Sequence, residues 1–184
     1  MNEFEKKLLL SKEEYDHLKE YFGHDGLTTS KLVIKQINYY YDTDDLSMNR
    51  QNTTCRIRFK DGEYKGTIKR HSIDFDHSTE TDIAVYDGII KNAFIDMGLT
   101  LKGELFTERR MIWKDTACEV VLDKNIYLDH EDYELEIEYE PMFEQDAARI
   151  FKKILNLLKT HIPSQRVQSK SERFFARYLS KERR

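Results

Sequence analysis

Carboxylates and cations recur in this chain at every second residue, and the spacing sorts them by sign. Glu3, Glu5 and Lys7 open the series, followed by Arg56, Arg58 and Lys60, then Lys65 and Lys69, then Glu80 and Asp82. Thr107 and Arg109 come next, then Glu119 and Asp123, and finally Glu134, Glu136 and Glu138. Residues two apart in an extended strand share a face, so each set forms a charged row. A wet strand face ordinarily mixes signs, because like charges along one face cost stability. Rows that are acidic on some strands and basic on others need a counter-charge between strands: a metal ion suits the carboxylates, and a polyanion suits the cations.

The elements that must carry these rows are legible in the alternate positions. Cys55, Ile57 and Phe59 oppose the Arg56/Arg58 row, and Tyr133, Leu135, Ile137 and Tyr139 oppose the glutamates. This period of two predicts strands over the opening segment and over about 32–42, 53–60, 63–70, 79–86, 104–114, 117–123 and 132–140. Asp61-Gly62 marks a tight hairpin turn between two of them. Ser11, with Glu13 and Glu14 after it, caps a helix ending near Gly23, and Asp87 is placed to cap another over 88–97, closed by Gly98. A third helix begins after Pro141, with Phe143, Ala147, Ile150, Phe151, Ile154 and Leu158 on one face. Ser169, Lys170 and Arg173 fall in a final short helix or turn. The expected class is α+β: eight antiparallel strands closed into a barrel whose interior is charged and whose apolar face packs against helices outside. That inverts the usual small barrel, whose interior is apolar. Burying so many charges is costly unless water, metal and ligand fill the bore.

At 184 residues the chain suits one domain over 1–184 with a sizeable core. Its formal charge of -4 supplies no global basic field for nucleic acid, so an anion site must be local. No run approaches the roughly 20 apolar residues that span a bilayer, and a cytoplasmic location is expected. Cys55 and Cys118 fall on apolar strand faces and read as buried free thiols; the histidines lack zinc-ligand spacing.

Glu3-x-Glu5-x-Lys7, Tyr40-Tyr41-Asp42-Thr43, Arg56-x-Arg58, Lys69, Glu80-x-Asp82, Arg109, Asp123, Glu134-x-Glu136 and Lys170, in that order, resemble the CYTH superfamily, the triphosphate tunnel metalloenzymes. The likeness runs from Glu3 to about Arg173. It implies an eight-stranded tunnel that binds a triphosphate with a divalent metal. Known members include inorganic, thiamine and RNA triphosphatases and class IV adenylyl cyclases.

On that resemblance Lys7, Arg56, Arg58, Lys69, Arg109 and Lys170 form the triphosphate clamp, with arginine forks and lysine point charges closing from several strands. Glu3, Glu5, Asp123, Glu134 and Glu136 are the expected ligands of Mg²⁺ or Mn²⁺. Glu80 and Asp82 hold a second metal or orient a water, and with Lys7 make up the catalytic set. Lys6 beside Lys7 and Arg110 beside Arg109 mean that a slip of one residue would exchange these assignments. The leading reading is a metal-dependent triphosphate hydrolase. The alternatives are a class IV adenylyl cyclase and a binding module without turnover. Tyr39, Tyr41, His71 and Phe75 are candidates for reading the substrate beyond its phosphates, or for packing. An exposed strand edge or helix face could support a homodimer.

Overall fold

In β10 (His130–Tyr139) Glu134 and Glu136 alternate with Leu135 and Ile137, yet all four residues are buried. A strand buried on both faces with one of them charged needs a polar space on that side. The computed structural model supplies it as a closed barrel. It describes residues 2–24, 33–71, 77–161, 163 and 166–182, with only the backbone described for Asn2, Glu3, His24 and His77. The barrel strands are β1 (Asn2–Leu10), β2 (Val33–Asp42), β3 (Thr53–Lys60), β4 (Glu63–His71), β5 (His77–Ile83), β8 (Thr100–Lys114), β9 (Cys118–Tyr127) and β10. A two-stranded sheet of β6 (Val85–Asp87) and β7 (Lys91–Asn92) lies apart from them. Spatial order is β1-β10-β9-β8-β2-β3-β4-β5, all antiparallel, and β5 returns to β1 through Asn2↔Thr79, Glu3↔Ser78 and Phe4↔His77.

Closure puts the charged rows inside and the apolar rows outside, as the alternation predicts. Leu8, Val120, Leu122, Leu135 and Ile137 pack outward against α1 (Lys12–His24) and α4 (Glu144–Leu158), which follows a turn of 3-10 helix at Pro141–Phe143. From α1 come Tyr15 and Leu18, and from α4 Ala147, Phe151, Ile154 and Leu155. Each fully buried large side chain here contributes roughly 1.5–3 kcal/mol by leaving water. Ser11 and Glu14 form a reciprocal capping box: the Glu14 N–H donates to Ser11 Oγ at 3.1 Å and the Ser11 N–H donates to Glu14 Oε2 at 2.8 Å. Between β2 and β3 lies one turn, α2 (Ser47–Arg50).

The tail is longer than its sequence suggests. α5 (Lys170–Glu182) is a 13-residue helix opened by a second capping box, with Glu172 N–H to Ser169 Oγ at 3.3 Å and Ser169 N–H to Glu172 Oε2 at 2.7 Å. Its Phe174 and Phe175 bury against Tyr40, with ring centroids 4.8 and 5.9 Å away, and against Leu105 and Tyr127. Gly103, at φ +148, makes this docking possible, because a Cβ there would lie 3.0 Å from the Phe174 ring.

The expected helix over 88–97 is corrected to a small hairpin followed by α3 (Ala93–Asp96). Gly88 turns the chain at φ +56, and Asn92, not Asp87, is the cap: its side chain accepts from the N–H of Phe94 and Ile95 and donates to Gly88 O. The strand expected over 79–86 stops at Ile83, where Ala93 N–H donates to Ala84 O and draws the chain out of the barrel. The Asp61-Gly62 turn is as expected, with φ of 53 and 85. Cys55 and Cys118 are buried and free, and burial pushes their thiols up to about 12 and about 11. Among the described residues no helix is long and apolar enough to cross a membrane.

Candidate functional site

Register determines which charges meet. β9 and β10 set Asp123 opposite Glu134, and β1 and β10 set Lys7 opposite Glu136. The carboxylates of Asp123, Glu134 and Glu136 come within 4.8 Å of one another, and all three residues are buried. Such a cluster is intolerable alone, and several cations answer it. Lys170 Nζ lies 2.9 Å from Asp123 and 2.9 Å from Glu136, and also contacts Glu134. Arg109 reaches Asp123 at 2.8 Å and Glu138 at 2.7 Å, and pairs with Glu136. Lys7 Nζ is 3.1 Å from Glu136, and Arg173 Nη2 is 3.0 Å from Glu134.

The protonation energetics follow this geometry. Burial alone would push the Glu136 carboxyl upward, but Lys170, Lys7 and Arg109 override it and hold the group well below the ordinary carboxylate range. Burial likewise disfavours the charged forms of Lys7 and Lys170; Glu136 and Glu5 reverse this for Lys7, and Asp123, Glu134 and Glu136 for Lys170, so both stay firmly protonated. Glu138, at the rim, is raised by burial despite Arg109.

The opposite wall comes from β3 and β4. Arg56 Nη2 and Lys69 Nζ each lie 3.4 Å from Glu80 on β5. Arg58 donates from Nε to Asn38 Oδ1 at 3.0 Å but, among the described residues, has no ion-pair partner. Burial, with Arg56 and Arg109 nearby, brings its guanidinium down to about 10. Arg56 Nε is buried without a hydrogen-bond acceptor. Both walls border one cavity of about 270 Å³, lined among others by Lys7, Arg56, Arg58, Lys69, Glu80, Arg109, Glu136 and Lys170.

Most residues expected at the site therefore converge. Glu5 borders the cavity, 3.0 Å from Lys7, whereas Asp123 and Glu134 lie fully buried behind Lys170. The Glu3 backbone sits in β1, but its side chain is outside the described residues. Asp82 does not join the group: it pairs with Lys65 at 3.1 Å, and both side chains are about two-thirds exposed, at 67% and 64%. Of the residues considered for reading the substrate, Tyr39 and Tyr41 pack outward with Phe94 and Ile57, His71 borders the cavity, and Phe75 lies outside the described residues. Sequence reading did not assign Arg173 a role. Its signal is the three-residue spacing from Lys170, which on a helix puts both cations on the side facing β10.

The donor set fits a hard divalent cation. Buried carboxylate oxygens converge as Mg²⁺ and Mn²⁺ require. Glu134 Oε2 is buried without a hydrogen bond, its approach to Arg173 being off hydrogen-bond geometry. The Lys170 ammonium touches all three acids, so a positive charge is already demanded there.

Known proteins share the sequence and the fold. YjbK of Bacillus subtilis, whose name proposes a triphosphatase, is 28% identical over 187 residues, covering 94% of each chain. The crystal structure of a proposed adenylate cyclase from Bacillus halodurans is 27% identical, covers 94% of this chain and 97% of its own, and superposes with a TM-score of 0.70. HpAC1 of Hippeastrum, a proposed adenylyl cyclase described as having a dominant triphosphatase activity, shares the fold at a TM-score of 0.64 with 17% identity, covering 98% of this chain and 95% of its own. The CYTH domain model matches residues 1–175, and the chain belongs to the CYTH domain family.

Proposed function

We propose that this protein hydrolyses a triphosphate inside the barrel with Mg²⁺ or Mn²⁺. The observation that carries the reading is the pairing of two unlike walls across one cavity, a compensated acidic row facing a basic row in which Arg58 has no ion-pair partner among the described residues. Arg56, Arg58 and Lys69 bind the phosphate oxygens, the arginines by forked contacts and the lysine as a point charge. Lys7, Arg109 and Lys170 stand between the walls and neutralise charge on the phosphoryl group in flight. Asp123, Glu134 and Glu136 would hold the metal, with Glu5 bordering the same cavity and Glu3 expected to join them. When bound, the metal supplies Lewis-acid polarisation of a phosphoryl oxygen. Glu80, already facing Arg56 and Lys69, orients the attacking water.

The name of YjbK, at 28% identity, supports hydrolysis. The Bacillus halodurans relative, at 27%, keeps a cyclase reading as the second one. Phosphate release from tripolyphosphate, thiamine triphosphate and ATP, with Mg²⁺ and then Mn²⁺, tests the proposal. Release is expected, falling about 10²–10³-fold in Glu136→Gln. Cyclic AMP with pyrophosphate would make the protein a cyclase, and tight calorimetric binding without any product would make it a sensor.

A further inference from the structure

Cations that project into the barrel are met by carboxylates: Arg109 by Asp123 at 2.8 Å, Arg173 by Asp132 at 2.8 Å and Arg56 by Glu80 at 3.4 Å. Arg58 is met by an amide. The register of β2 with β3 sets it opposite Asn38, and the residues of β2 that share a face with Asn38 are Ile34, Gln36 and Tyr40, all bordering the charged cavity and none of them charged. Asn38 is 1% exposed, and its amide is used on one side: Oδ1 accepts from Arg58 Nε at 3.0 Å, while Nδ2 is buried without an acceptor. Because the Arg58 Nε–H can only donate, the oxygen is the atom that must face it, and the orientation of the amide is fixed.

A buried donor without an acceptor is a cost to the fold, and either of two other side chains would avoid it. Leucine would bring no polar atom but would leave Arg58 Nε unheld. Aspartate would replace the donor with a carboxylate, but would cancel the charge that an anion needs. We infer that Asn38 is a positioning residue for the triphosphate site: its amide fixes the Arg58 guanidinium through Nε without neutralising it, which keeps the Nη1/Nη2 edge as a fork for a phosphate. This rests on the triphosphate reading and deepens it. A fork differs from a point charge only if its plane is held, and holding it before the anion arrives lowers the ordering cost of binding.

Asn38→Asp and Asn38→Ala are compared with the parent, with Arg58→Ala and with each double variant, all with Mg²⁺. Calorimetry uses diimidotriphosphate, whose NH bridges resist hydrolysis, and kinetics use tripolyphosphate. Asn38→Asp should weaken affinity and raise KM about tenfold, as Arg58→Ala does, and Asn38→Ala about threefold, with kcat changing less than KM in each. In the double variants the loss should be no larger than in Arg58→Ala alone, because Asn38 acts through Arg58. Losses that multiply in the double variants, or an Asn38→Asp protein that binds as tightly as the parent, would overturn the inference. Should Asn38→Asp not fold, the cycle of Asn38→Ala with Arg58→Ala decides by itself. Failure of the hydrolase reading looks different: the parent binds diimidotriphosphate but releases no phosphate, and the calorimetric cycle still decides the role of Asn38. A parent that binds no diimidotriphosphate would overturn the triphosphate reading and this inference together.

Discussion

The acidic wall of β9 and β10 and the basic wall of β3 and β4 arise from the same alternation, yet the chain treats them differently. The acids are answered from within the protein by Lys7, Arg109, Lys170 and Arg173, two of which arrive on a helix from the end of the chain. On the basic wall Arg56 and Lys69 share Glu80 at 3.4 Å, and Arg58, without an ion-pair partner among the described residues, relies on the amide of Asn38. A buried charged row can thus be neutralised by the fold or left for a ligand. The under-compensated wall is the better marker of where an anion binds, because repulsion there is relieved only when the anion arrives.

Removing the internal counter-charge should produce the largest effect. Lys170→Ala leaves Asp123, Glu134 and Glu136 without the ammonium they share, and urea unfolding should show a loss of about 3–5 kcal/mol. Mg²⁺ should then raise the Tm of the variant more than that of the parent; a variant as stable as the parent would refute the compensation. The matching change on the other wall, Arg58→Ala, should leave stability unchanged or slightly higher while KM for the triphosphate rises about tenfold. A stability loss as large as that of Lys170→Ala would erase the distinction between the walls.

Acid should separate the groups by their windows. His71 is lowered to about 4, by burial and then by Lys69, from an ordinary value near 6.5. Its stabilising contribution is therefore complete above about pH 6.5 and is lost as pH falls toward 4. Glu136 has its folded pKa below the ordinary value, so its contribution persists above about pH 4.3 and is lost only as pH falls through the folded value. Thermal melts should show two successive declines, with His71→Asn abolishing only the first. The smallest effect is expected at Asp82→Asn, which breaks an exposed pair with Lys65: within about 0.5 kcal/mol in stability, with phosphate release unchanged. A marked loss of activity there would return Asp82 to the site.

The barrel strands were legible because each repeats a local pattern, and hairpin chemistry at Asp61-Gly62 joined two of them at the expected place. The region from Ala84 to Asp96 was not. Asp87 and Gly98 look like the ends of one helix, but a left-handed Gly88 and the side-chain cap of Asn92 divide the segment into a hairpin and a single turn. α5 was foreshortened because its apolar residues, Phe174 and Phe175, find their partners Tyr40, Leu105 and Tyr127 far away in the chain. Arg109 was separable from Arg110 only through pairing, which faces Arg109 toward Asp123 and Glu136.

Taken alone, the order of residues determined which side chains share a face, where the chain turns and where two of its helices begin. These depend on the two-residue strand period and on capping over a few positions, all of it local. Only the tertiary structure decided which charges touch: that Lys170 meets Asp123, Glu134 and Glu136, that Arg58 meets no carboxylate among the described residues, and that Asp82 stays in solvent. The reason is that electrostatic energy depends on distance through space and on burial, and both are settled by strand register, barrel closure and the docking of α5.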